Sequence, residues 1–126
     1  MITPRLTYVV ARVLIASVFV GIGVERLLGA ATILPGRAAP THLWTLFFAF
    51  EGVAGLLMML GWQAGRIALM MAVILAVDAF VSHRFWSHGD NVQHEQLLHF
   101  LKNVSLIGAL LLVSWIEGQK SPESNP

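Results

Sequence analysis

Three observations predict an all-α protein, an integral membrane four-helix bundle running up-down-up-down. Four apolar stretches have the length of a membrane span, every proline falls outside them, and all four tryptophans lie close to their edges. The stretches cover residues 6–28, 43–60, 67–86 and 97–116, each about 18 to 23 residues, enough for a helix to cross ~30 Å of hydrocarbon. Of the 126 residues, 56% are hydrophobic and only 12% charged, about half the charge of an ordinary soluble domain.

Taken in order, the first span carries Arg12 near its start and closes on Glu25-Arg26. Arg5 and the small residues Ala30-Ala31 imitate a secretory signal, but Arg12 interrupts the apolar run, so an uncleaved span is expected. Pro4, Pro35, Pro40, Pro122 and Pro126 leave the spans uninterrupted. Residues 29–42, with Pro35-Gly36 and Pro40, form the first connection, and residues 61–65 a tight turn. Residues 87–96 read as a polar, His-rich loop. Residues 1–117 form the transmembrane domain, and 118–126 a disordered polar tail. Short links favour antiparallel neighbours with both termini on one side. Trp44, Trp62, Trp86 and Trp115 suit the headgroup boundary. Lys and Arg are nearly balanced between the two sides; both termini are expected in the cytoplasm.

Several function classes are excluded or unsupported. With no cysteine, the chain forms no disulfide, thiolate metal site or thiol chemistry. Its formal net charge of +1, without a basic cluster, gives no nucleic-acid footprint. There is no Gly-rich phosphate loop, and Gly21-Ile22-Gly23, inside a span, is helix packing.

The ionisable residues inside the spans are the informative ones: Arg12, Glu51, Asp78 and Lys102. Each costs at least about 2.5–3.5 kcal/mol near the membrane centre unless paired or wet. At ~1.5 Å rise per residue, measured from the side of the termini, they lie at ~7, ~15, ~18 and ~22 Å respectively. Depth therefore matches Lys102 with Asp78 or Glu51, while Arg12 reaches up to Glu51 or snorkels to the near surface. Glu51 shares a helical face with Trp44, Phe48, Gly55 and Met58, and Gly55 lets a neighbouring helix come close. Ala68, Ala72, Ala76 and Ala79 make a small-residue face ending at His83, with Asp78 and Ser82 pointing elsewhere. Glu95, His99, Lys102 and Leu106 form a stripe with Asn103 beside it.

The half of the bundle away from the termini is thus polar inside. Its candidate pocket comprises Glu51, Asp78, His83, His99, Lys102 and Asn103, with Arg12 and Glu25 secondary. Two readings stand: ion pairs as glue that fixes helix register, or a site that holds water or a polar headgroup. Metal is not expected, because Glu95 and His99 are only a pair and His94-Glu95 lacks the second His of a zinc-protease motif. Haem would want two facing histidines, for which only His83 and His99 qualify, and it is not expected either; His88 lies near the interface.

Three segments resemble the DoxX family of small four-span membrane proteins. One runs from Arg12-Val13-Leu14 through Phe19 to Gly21 and Leu27, with Glu25-Arg26 where that family often has Lys. Another is Phe50-Glu51-Gly52-Val53-Ala54-Gly55-Leu56-Leu57 with Leu60-Gly61 and Arg66. The most specific is His83-Arg84-Phe85-Trp86 followed by His99-Phe100-Leu101-Lys102-Asn103. The resemblance implies a bacterial inner-membrane protein with a quinone or redox-partner link, since relatives include a subunit of a thiosulfate:quinone oxidoreductase. It implies Arg12, Glu51, His83, Lys102 and Asn103 as motif residues.

Three functions compete. In a quinone-linked redox subunit, Lys102 and Asn103 hydrogen-bond a quinone carbonyl, Glu51 or His83 passes protons, and a soluble or membrane redox partner supplies electrons. The second is a non-catalytic anchor or assembly subunit for a redox or stress-response partner. The third is transport of a small solute or proton by a homo-oligomer in the lipid bilayer.

Overall fold

A computed structural model describes residues 3–30, 42–87 and 89–120. Among them are four α-helices and no strand: α1 (Pro4–Ala30), α2 (His42–Leu60), α3 (Ala64–Ser82) and α4 (Asp90–Gln119), with a 3₁₀ turn at Phe85–Ser87. All four are long and apolar enough to cross a membrane, so the protein has the expected all-α membrane fold. The connection at 31–41, His88 and the tail at 121–126 lie outside the described residues. The chain forms two compact units, residues 1–64 and 65–126.

In the first unit α1 and α2 form an antiparallel hairpin. The start of α1 is fixed by Thr3, whose Oγ1 accepts the Leu6 N–H at 3.2 Å, and by Pro4, whose missing N–H costs nothing in a first turn. The helices touch at glycines. A Cβ on Gly23 would lie 2.9 Å from the Gly52 Cα and 3.0 Å from the Phe48 carbonyl oxygen. Gly55 packs against the Ala16 carbonyl oxygen, Val20 and Phe19, the close approach its position suggested. Gly21, by contrast, faces open space.

The end of α2 is built to satisfy its carbonyls. Gly61, at φ +85°, turns the chain so that its N–H reaches Met58 O and the Trp62 N–H reaches Leu57 O, a Schellman arrangement. The next carbonyl, Met59 O, accepts from Arg12 Nη2 at 3.3 Å. Gly61→Ala is expected to cost about 1 to 2 kcal/mol, the penalty of a left-handed backbone for a residue with Cβ. Gln63, at φ +50°, should show the opposite sign, Gln63→Gly being neutral or stabilising. Thermal unfolding in detergent checks both.

In the second unit α3 and α4 are antiparallel. Gly65 meets Glu117 and Ser114, Phe80 meets Phe100 edge-on at 5.4 Å, and Ala68, Met71, Ala72, Leu75, Ala79, Leu110 and Val113 are buried. Two expected boundaries need correction. The segment read as a loop over 87–96 is helical from Asp90, because α4 projects roughly two turns beyond its apolar stretch. Gly89 provides the extended N-cap, Asp90 sits favourably in the positive first turn, and Gly89 O accepts the Val92 and Gln93 N–H groups. At its other end the helix continues to Gln119, into the expected tail. Helix α3 itself ends at Ser82, where His83 leaves it, while the apolar span runs on through the 3₁₀ turn to Ser87.

Candidate functional site

Helical phase decides which polar residues of α4 face α3. Gln96, Asn103, Leu110 and Val113 recur at heptad-like spacing, and Asn103, Leu110 and Val113 are buried. Lys102, ~100° round the helix from Asn103, is exposed. The α4 residues that meet the α3 side are therefore Gln96 and Asn103, with the exposed His99 ring laid against His83 at the edge, and not Lys102.

Asp78 is the hub of the cluster. Its Oδ1 accepts from Ser82 Oγ at 2.7 Å, and its Oδ2 from Asn103 Nδ2 at 3.1 Å. The His83 Nε2 lies 3.5 Å from the same Oδ2, while His83 Nδ1 is 2.9 Å from Gln96 Oε1. The His99 ring lies parallel to that of His83, centroids 5.1 Å apart. Beside this network Phe80, Phe85, Trp86 and Phe100 form an aromatic cluster, all with edge or tilted contacts.

Of the two carboxylates expected for Lys102, Asp78 or Glu51, Asp78 makes no ion pair with it among the described residues. Lys102 Nζ instead makes a long 3.5 Å contact with His99 Nδ1 on its own helix. Matching depth brought Lys102 and Asp78 to the same level, but the neighbouring residue, Asn103, has the phase to meet the carboxylate. Helical phase along the third span pointed Asp78 away from the face ending at His83, yet the two side chains meet. Because α3 stops at Ser82, His83 is free of the helical phase and folds back over Asp78. Gln96 was hidden by the loop reading, although Gln96, His99 and Asn103 stand at helical i, i+3, i+7 spacing.

The remaining candidates belong to the first hairpin. Arg12 is buried, places its guanidinium 5.6 Å from the centre of the Tyr8 ring and donates to Met59 O at the end of α2. Glu51 is buried on α2 along with Ala54, Gly55 and Met58. Glu25 pairs with its neighbour Arg26 at 3.7 Å, both side chains well exposed. Arg26 also lies 5.2 Å over the Phe48 ring.

Among the described residues no three His, Asp or Glu side chains converge as a metal site. The stacked His83 and His99 rings present faces to each other, with no room for a haem between them.

Comparison with known proteins adds the following. The family described as HR-like lesion-inducing matches residues 37–115. Inner membrane protein YphA of Escherichia coli (strain K12) is 24% identical over 110 residues, covering 83% of this chain and 79% of that protein. No solved structure matches. The resemblance to DoxX is thereby corrected, and the redox relatives it brought no longer bear on this chain. The segments that suggested it are short and lie in or beside apolar helices, where similar composition is common.

Proposed function

The chain belongs to the HR-like lesion-inducing family, and from that premise we propose that it is a non-catalytic component of the inner membrane that anchors or assembles a partner there. Four spanning helices make it a multi-pass membrane protein. In this reading both termini face the cytoplasm.

One observation carries the proposal: the polar side chains of α3 and α4 bond chiefly to one another. A side chain that holds a substrate must turn a donor or acceptor towards it. Here Asp78 is engaged by Ser82, Asn103 and His83, and both His83 nitrogens face partners. Asn103, which a quinone-linked subunit would turn towards a quinone carbonyl, is buried and committed to Asp78. Such a network staples two helices in hydrocarbon, where each interhelical hydrogen bond is worth on average about 0.6 kcal/mol and at most about 1.7.

The test is an absorbance spectrum of the purified protein with mass spectrometry of its lipid extract. The expected result is no visible chromophore, quinone far below one per chain, and no quinone rebinding. Stoichiometric quinone that disappears on Lys102→Gln would overturn the proposal in favour of the redox reading.

A further inference from the structure

Of the two charges inside the apolar stretches of α3 and α4, Asp78 is engaged in the network and Lys102 is turned outward. Lys102 is exposed on α4, and among the described residues no ion pair holds it; its polar contact is His99 Nδ1 at 3.5 Å. Of the two carboxylates that depth offers it, Asp78 already has three polar neighbours and Glu51 belongs to the other unit. Glu95 lies on the same stripe but ~10 Å further along the axis, outside the apolar part of α4. A lysine cannot rest unpaired in hydrocarbon, so its ammonium must find a counter-charge or rise to the surface.

Lys102 is placed to do both. It lies five residues inside the apolar stretch that starts at Leu97, ~7.5 Å below that edge, within reach of the headgroup phosphates for a snorkelling side chain. His99, one turn nearer the surface, is exposed as well. Its ring is held parallel to His83, which Gln96 and Asp78 fix in turn. An ammonium and an imidazole ring therefore sit side by side on the exposed surface of α4, at the level where the bilayer offers phosphate.

We propose that Lys102 and His99 form a binding site for an anionic phosphate group, with Lys102 supplying the charge and His99 a directed N–H. A phospholipid headgroup and free phosphate share this chemistry. The site goes beyond an anchoring role and does not depend on it.

Native mass spectrometry of the full chain in detergent, titrated with phosphatidylglycerol or phosphatidylethanolamine, tests the site. The expected result is about fivefold tighter retention of phosphatidylglycerol, the effect of one lysine near an anionic surface. The preference should vanish in Lys102→Gln, persist in Lys102→Arg and weaken in His99→Phe, which keeps an aromatic ring but removes the donor. If millimolar inorganic phosphate displaces the lipid only when Lys102 is present, the site takes free phosphate; if not, it takes the headgroup. Equal retention of the two lipids by the unmodified chain, or a preference that survives Lys102→Gln, would overturn the proposal. Should Lys102→Gln fail to fold, the two-lipid comparison on the unmodified chain still decides.

Discussion

Gly23→Ala is expected to destabilise the first hairpin sharply, and Gly23→Leu to cost about 3 kcal/mol, the upper end of ordinary overpacking. The new Cβ would lie 2.9 Å from the Gly52 Cα, 3.0 Å from the Phe48 carbonyl oxygen and 3.1 Å from the Gly52 nitrogen. All three are backbone atoms, so no side chain can swing away and the helices must part. Separation would also loosen the Gly55 contact with Ala16 and Phe19, because packed helices move as rigid bodies. Two controls make the result specific. A Cβ on Gly52 meets only the Gly23 Cα at 3.6 Å, and one on Gly21 meets nothing within 4 Å. Gly52→Ala and Gly21→Ala should therefore be neutral or slightly stabilising through helix propensity. Thermal unfolding in one detergent gives the order; Gly23→Ala unfolding with Gly21→Ala would contradict the close crossing.

The second large effect is expected at Asn103. Asn103→Leu removes a buried donor from Asp78 and leaves the carboxylate with Ser82 and His83. Leaving a group in a low-dielectric setting without its partner costs about 1–3 kcal/mol, and a middle value of about 2 kcal/mol is expected. Lys102→Gln, one residue away but exposed, should change stability by less than about 0.5 kcal/mol. The contrast separates a staple from a charge that serves the membrane surface. Equal losses at the two positions would mean that Lys102 carries part of the helix packing.

Hydropathy, proline placement and tryptophan position made the four spans legible, because hydrocarbon imposes length and composition directly on a helix. They report where a chain is dry, not where it is helical. That is why the polar first turns of α4, from Asp90 to Gln96, read as a loop, although Gly89-Asp90 is a recognisable helix start. The polar set was legible for a similar reason: charges in apolar runs are conspicuous. Their pairing was not, because depth alone cannot choose between adjacent residues such as Lys102 and Asn103, whose directions differ by about 100°. Nor can it foresee that His83 would leave α3 and return to Asp78. For Arg12, depth left two directions open, up to Glu51 or out to the near surface, and could not name Met59 O beside Gly61 as the acceptor of its described hydrogen bond, a role set by where α2 ends.

The central claim is that the intramembrane polar residues of α3 and α4 hold the hairpin together. A double-mutant cycle of Asp78→Ala and Asn103→Ala, read by reversible unfolding in detergent, tests it most directly. The account predicts a favourable coupling of about 1 kcal/mol, within the range found for interhelical hydrogen bonds in membranes. Additivity to within about 0.3 kcal/mol, as for residues that do not interact, would contradict it.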